Sequence, residues 1–131
     1  MSDLKNPGRP LVEKLGVKAG YRIGFEDFSD PALEVLLRGC EAELDAAPPL
    51  DLLLFHVAEP AALGRLPELR ARLAEAGAIW VIREKGPGRT VTEIDIIEAA
   101  RAARLVDNKI ASYSESLAAM RLVIPLKLRG R

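Results

Sequence analysis

Three groups of residues in this chain have the types and spacing to do chemistry. The most pointed runs from Lys85 to Thr92, Lys-Gly-Pro-Gly-Arg-Thr-Val-Thr. Gly86 and Gly88 permit backbone N–H groups to converge as a nest, and Lys85 and Arg89 add positive charge. Thr90 with Glu93, and Thr92 with Asp95, both have capping-box spacing, so a helix opens here with its free N–H groups aimed at the same place. That combination suits a phosphate or carboxylate. It is not a P-loop, because G-x-x-x-x-G-K-[ST] is absent. Glu93 and Asp95 also dilute the positive potential, and a surface turn with solvated charges is the competing reading.

The second group is His56 with Glu59, at the end of an apolar run. Imidazole is the side chain that exchanges protons near neutral pH, so a general base is chemically sensible there. No G-x-S-x-G elbow accompanies it, and a histidine bonded to a carbonyl accounts for it as well. The third group is Glu26, Asp27 and Asp30, whose oxygens suit a hard cation. Asp30 precedes Pro31, however, and a helix cap is the simpler role for it. Cys40 stands alone, which excludes an internal disulfide and a thiolate zinc cluster.

The chain that must position these residues has 131 of them, 49% apolar and 29% charged, enough for one domain with a real core (1–131, with 1–9 a loose, flexible arm). Lys plus Arg and Asp plus Glu both total 19, so the net charge is zero. A cationic footprint for nucleic acid is missing at the whole-chain level. Lys127, Arg129 and Arg131 form a basic end that reads as a frayed tail. Residues 1–10 show no apolar stretch of a signal peptide, and no run approaches the roughly 18 residues of a membrane span. A cytoplasmic location is expected.

Elements follow from periodicity. Pro10 to Leu15 forms a helical turn stopped by Gly16, and Tyr21–Phe25 a first strand. A helix opens at Pro31 with Leu33, Leu36 and Leu37 inward and Gly39 as its stop. A short strand near Glu43–Asp45 has no propensity behind it. Asp51–Val57 reads as a strand covered on both faces. From Pro60 a helix carries Leu63, Leu66, Leu69 and Leu73 inward, is divided by Pro67, and ends at Ala76-Gly77. Ala78–Arg83 is the next buried strand, with Trp80 in the core. The helix Thr92–Arg104 points Ile94, Ile97 and Ala100 inward. Val106–Tyr113 and Leu117–Leu126 are strands too closely joined to be parallel neighbours, so they pair antiparallel. Within the first of these, Asp107 and Lys109 share a face by the period of two. The alternation predicts an α/β fold, a mostly parallel sheet with helices on both faces.

That ending resembles the C-terminal half of the class I S-adenosylmethionine-dependent methyltransferase fold. More closely, the chain resembles an uncharacterised family of small bacterial proteins with a pared-down version of it. The residues that carry the likeness are Glu13-Lys-Leu-Gly-Val-Lys-Ala-Gly20, Ala76-Gly-Ala-Ile-Trp-Val81, Lys85, Thr92, Leu105-Val-Asp-Asn-Lys109 and Ser114–Leu122, although the family often has tryptophan at the position of Leu117. The likeness implies a three-layer Rossmann-like (methyltransferase-like) fold with an antiparallel C-terminal strand pair, and a bacterial setting. In enzymes of that fold, glycines after the first strand admit the cofactor, and an acidic residue after the second strand takes the ribose hydroxyls. Here the turn is Gly24-Phe-Glu-Asp-Phe-Ser-Asp30, with one glycine and two phenylalanines, and only Glu43 or Asp45 could be the acid. Gly24, Phe25, Glu26, Phe28 and His56 then line a vestigial cofactor cleft.

The resulting expectation is a non-catalytic binding or interaction protein on a degenerate methyltransferase-like scaffold. The alternatives are a methyltransferase with an unusual cofactor pocket, or a small anion- or nucleotide-binding module using Lys85, Gly86, Gly88, Arg89, Thr90 and Thr92. No residue is assigned a catalytic role, and no metal or cofactor is expected. The partner is a small anionic ligand or a protein, neither nucleic acid nor membrane, and self-association is open.

Overall fold

Residues 11–129 are described by the computed structural model. The expected arm, 1–9, lies outside them, as does Arg131. Six strands form one sheet in the order β2-β1-β3-β4-β6-β5. They are β1 Arg22–Glu26, β2 Glu43–Leu44, β3 Leu50–His56, β4 Leu73–Glu84, β5 Val106–Ser112 and β6 Leu117–Val123. β2, β1, β3 and β4 run parallel, while β6 and β5 pair antiparallel, as the alternation predicts. The helices are α1 Leu11–Leu15, α2 Pro31–Gly39, α3 Leu66–Arg70 and α4 Glu93–Ala102, with 3-10 turns at Pro60–Arg65 and Leu126–Leu128.

Strand alternation divides the core into two apolar layers. On one face Leu53, Phe55, Ile79, Val81, Met120 and Leu122 pack beneath the Pro60–Arg65 turn, α3 and α4. On the other, Ile23, Leu52, Leu54, Trp80, Ile82 and Val123 pack beneath α1 and α2. β3 and β4 are buried on both faces, which explains their unbroken apolar runs. Trp80 is fully buried and its indole N–H donates to the Leu15 carbonyl at 3.2 Å, tying α1 to the sheet.

Several expectations are corrected. The helix after Pro60 ends at Arg70, and Leu73–Gly77 belongs to β4, where Leu73 pairs with Leu50. Leu73 is buried either way; strand pairing wins over helical spacing. Gly77 makes this possible: a Cβ there would lie 2.5 Å from the Leu50 carbonyl oxygen. α4 is rotated from the expected register, with Ile96 and Ala100 buried and Ile94 exposed. Thr92 caps the helix reciprocally with Asp95, and the buried pair Val91 and Ile96 takes the positions of a hydrophobic staple. Leu36 of α2 is exposed while Leu33 and Leu37 are buried. The short β2 is real, and β6 ends at Val123. A bulge between Asp107 and Lys109 breaks the period of two. Arg129 is not frayed, since its Nε donates to the Ile124 carbonyl at 2.9 Å.

Candidate functional site

The chain leaves β1 through α2 to reach β2 on one side, and then places β3 on the other side of β1. The carboxyl ends of β1 and β3 therefore form the point where strand order reverses, the usual place for ligands in open α/β sheets. Glu26 ends β1 there. Its two oxygens are held by Arg65 at 2.7 Å and Arg72 at 2.8 Å. Arg65 also reaches Asp27 at 3.4 Å and Glu68 at 3.0 Å, and its guanidinium lies 5.9 Å over the Phe55 ring. Burial pushes the Glu26 carboxyl up, but the hydrogen bonds and charges of Arg72 and Arg65 outweigh it and hold the group below the ordinary carboxylate value.

Beside this network lies a groove of about 280 Å³, bordered by Glu26, Asp45, Pro48, Leu50 and Arg72. Asp45 follows β2 at a left-handed φ of 51°. It is exposed and has no ion pair among the described residues. Gly24 lines the floor, but the space a side chain would need is taken by Leu50 and Leu53, whose methyls lie 2.9 and 3.0 Å from an added Cβ. That glycine serves packing between strands.

The opposite face of the same strand ends carries an aromatic cluster. Phe28 stacks against His56 with centroids 6.4 Å apart, and Tyr113 meets Phe28 edge-on at 5.4 Å. The Tyr113 hydroxyl donates to Asp30 at 2.5 Å, while the other Asp30 oxygen accepts from the Leu33 N–H and caps α2, as its place before Pro31 predicts. Burial, and then the Asp30 carboxylate, push the Tyr113 hydroxyl up. Of the five cleft residues, Gly24, Phe25 and Glu26 thus line the groove, Phe25 also packing against the apolar layer of the other face, where Phe28 and His56 meet. Among the described residues no three His, Cys, Asp or Glu side chains form a metal-binding group.

The Lys85–Thr92 loop lies farther along the carboxyl edge. Lys85, Gly86, Arg89 and Thr92 border a hollow of about 450 Å³, together with Arg83 and Ile94. The Lys85 ammonium donates to the Ser112 hydroxyl at 2.6 Å and the Ser114 carbonyl at 2.7 Å, pinning the loop to the β5–β6 turn. Arg89 donates to the Gly86 carbonyl at 3.0 Å and Arg83 pairs with Glu93 at 3.5 Å. Thr90 donates to the Ala58 carbonyl at 2.6 Å, so Thr92 alone caps the helix. Gly88 is exposed and stands away from these bonds.

Sequence reasoning misses Arg65, Arg72 and Tyr113. Arg72 stands four residues after Glu68 and by that spacing reads only as its partner on a helix surface; its bond to Glu26 spans 46 residues, and the Tyr113–Asp30 bond spans 83. No local spacing signals either.

No protein-family model and no curated protein sequence matches the chain. Solved structures do. A SAM-dependent methyltransferase from Aquifex aeolicus superposes with a TM-score of 0.68 at 11% identity, covering 95% of this chain and 98% of that one. A putative methyltransferase from Thermoplasma acidophilum gives 0.64 at 5% identity, over 94% and 75% of the two chains. The Burkholderia thailandensis 1,6-didemethyltoxoflavin-N1-methyltransferase, solved with bound S-adenosylhomocysteine, gives 0.56 at 15% identity, over 86% and 73%. The fold is the methyltransferase Rossmann-like fold. None of the helices among the described residues is long and apolar enough to cross a membrane.

Proposed function

We propose that the groove beside Glu26 holds an adenosyl ligand of the S-adenosylmethionine type, and that the protein works in methyl transfer. The observation that carries this reading is the position of Asp45, an exposed carboxylate directly after β2, across a groove from Arg72 at the strand-order reversal. A carboxylate so placed accepts hydrogen bonds from two ribose hydroxyls by the logic of dinucleotide folds. The Arg72 guanidinium borders the groove while bonded to Glu26 at 2.8 Å and to Glu68 at 3.5 Å, so a ligand carboxylate takes it by exchange with those partners. The donor set therefore fits. The volume of about 280 Å³ lies just under the ordinary pocket range of about 300–1,000 Å³, so a ligand here stays partly open to water. When bound, S-adenosylmethionine supplies a methyl group made electrophilic by its sulfonium.

A second reading, a non-catalytic binding protein on this scaffold, is favoured by two observations. Leu50 and Leu53 fill the space at Gly24, and Glu26 is already held by two arginines.

Thermal melting with S-adenosylhomocysteine separates the two. At 100 times its dissociation constant the ligand adds about 2.7 kcal/mol of stability, an upward shift of several degrees. Asp45→Asn, which keeps a side chain suited to the left-handed φ of 51°, should sharply reduce the shift while leaving the melting point of the free protein unchanged. A flat profile for the wild type removes the adenosyl reading and leaves the second one.

A further inference from the structure

Arg121 breaks the pattern of its strand. Along β6, Leu117, Ala119 and Val123 join the apolar layer around Trp80, on the face covered by α1 and α2. Position 121 belongs to the same face, yet it holds a half-buried arginine. It pairs in register with Trp80 on β4 and with Lys109 on β5. Lys109 reaches that register through the bulge after Asp107. Like charges directly opposite each other in a sheet repel, and bulges serve to re-aim a side chain. Here the bulge delivers a lysine to an arginine.

A hollow of about 350 Å³ opens above the pair. Its wall adds Lys14, Lys18, Tyr21 and Asn108, so four cationic side chains line it, and among the described residues no carboxylate does. Two carbonyls of α1 that would repel an anion are already used. The Lys109 ammonium donates to the Lys14 carbonyl at 3.0 Å and the Trp80 indole to that of Leu15. Lys14 reaches the Ser112 carbonyl at 3.3 Å. A lysine on the edge strand β5 also discourages strand addition, which accounts for Lys109. It does not account for Arg121, because β6 lies inside the sheet between β4 and β5.

We propose that this hollow binds the phosphate or diphosphate group of a small phosphorylated molecule. Arg121 supplies the fork and Lys109 a point charge, with Lys18 at the rim. The site is separate from the Asp45 groove, which lies on the other face of the sheet, and does not depend on the reading of that groove.

Calorimetric titration with inorganic pyrophosphate tests it. The wild type should bind saturably. Arg121→Gln should weaken binding roughly ten- to a hundred-fold, the usual effect of losing a charge-assisted hydrogen bond. Arg101→Gln, a change of the same charge on the exposed side of α4, should leave it unaltered. A second readout concerns the free protein: Arg121→Met should melt at or above the wild-type temperature, because it relieves the repulsion with Lys109. No saturable binding, equal losses in Arg121→Gln and Arg101→Gln, or a lower melting point with unchanged pyrophosphate affinity overturns the proposal. So does binding of a short single-stranded oligonucleotide without any binding of pyrophosphate.

Discussion

Glu26 shows how much a single carboxylate is asked to do at the end of β1. It is mostly shielded from water, and its charge is tolerated because Arg65 and Arg72 occupy one oxygen each. The sign of its pH dependence follows. Its folded-state value is depressed, so its contribution is complete above the unfolded value of about 4.3 and is lost as pH falls through the folded value. Glu26→Gln should therefore cost about 1.5–3 kcal/mol at neutral pH, the range for hydrogen bonds to charged groups. In urea titrations the gap between wild type and variant should close as pH drops below about 4. A gap that stays constant as the pH falls well below that value would mean the arginines neutralise Asp27 and Glu68 instead.

At the scale of elements, local signals decide most of what forms and distant ones decide where it stops. The parallel core is legible because β3 and β4 are long apolar runs and because Pro31, Pro60 and the Thr92–Asp95 box mark helix starts. Leu66, Leu69 and Leu73 continue one helical stripe, so spacing alone carries α3 on to Gly77. Only the Leu50–Leu73 pairing reveals that the chain has already turned into strand. β2 is illegible for a related reason. Two residues carry no propensity, and its place is set by bonds such as Glu43 N–H to the Tyr21 carbonyl at 2.8 Å. The candidate site divides the same way: its residue types can be named from the chain, whereas Arg65, Arg72 and Tyr113 join it across long loops. Gly77→Ala tests the turn into β4. An added methyl meets the Leu50 and Ala74 carbonyl oxygens at 2.5 and 3.1 Å, both backbone, and should cost about 1–3 kcal/mol. Gly88→Ala, with nothing within 4 Å, is the matched control and should melt within a degree or two of wild type. Equal melting of the two variants would show that β4 can move away from Leu50 freely.

Across the whole molecule, polar groups gather in two regions. The carboxyl edge gathers the Glu26 network, the aromatic cluster and the Lys85 loop, while Arg121 and Lys109 sit beside α1, away from that edge. A chain with 19 charges of each sign has no net charge to draw a ligand, so local clusters of one sign must do so. One residue also joins the groove to the sheet behind it. The Arg72 carbonyl accepts the Leu50 N–H at 2.9 Å, while its guanidinium holds Glu26 at 2.8 Å. Arg72 is in effect a lever loaded at both ends. A guest that draws the guanidinium away from Glu26 tugs on the peptide restraining Leu50, so the Leu50 amide, bonded to the Arg72 carbonyl, reports its arrival. Deuterium uptake at Leu50 should then quicken relative to Leu53 on the same strand. Unaltered uptake at both would mean that the two ends of the lever swing independently.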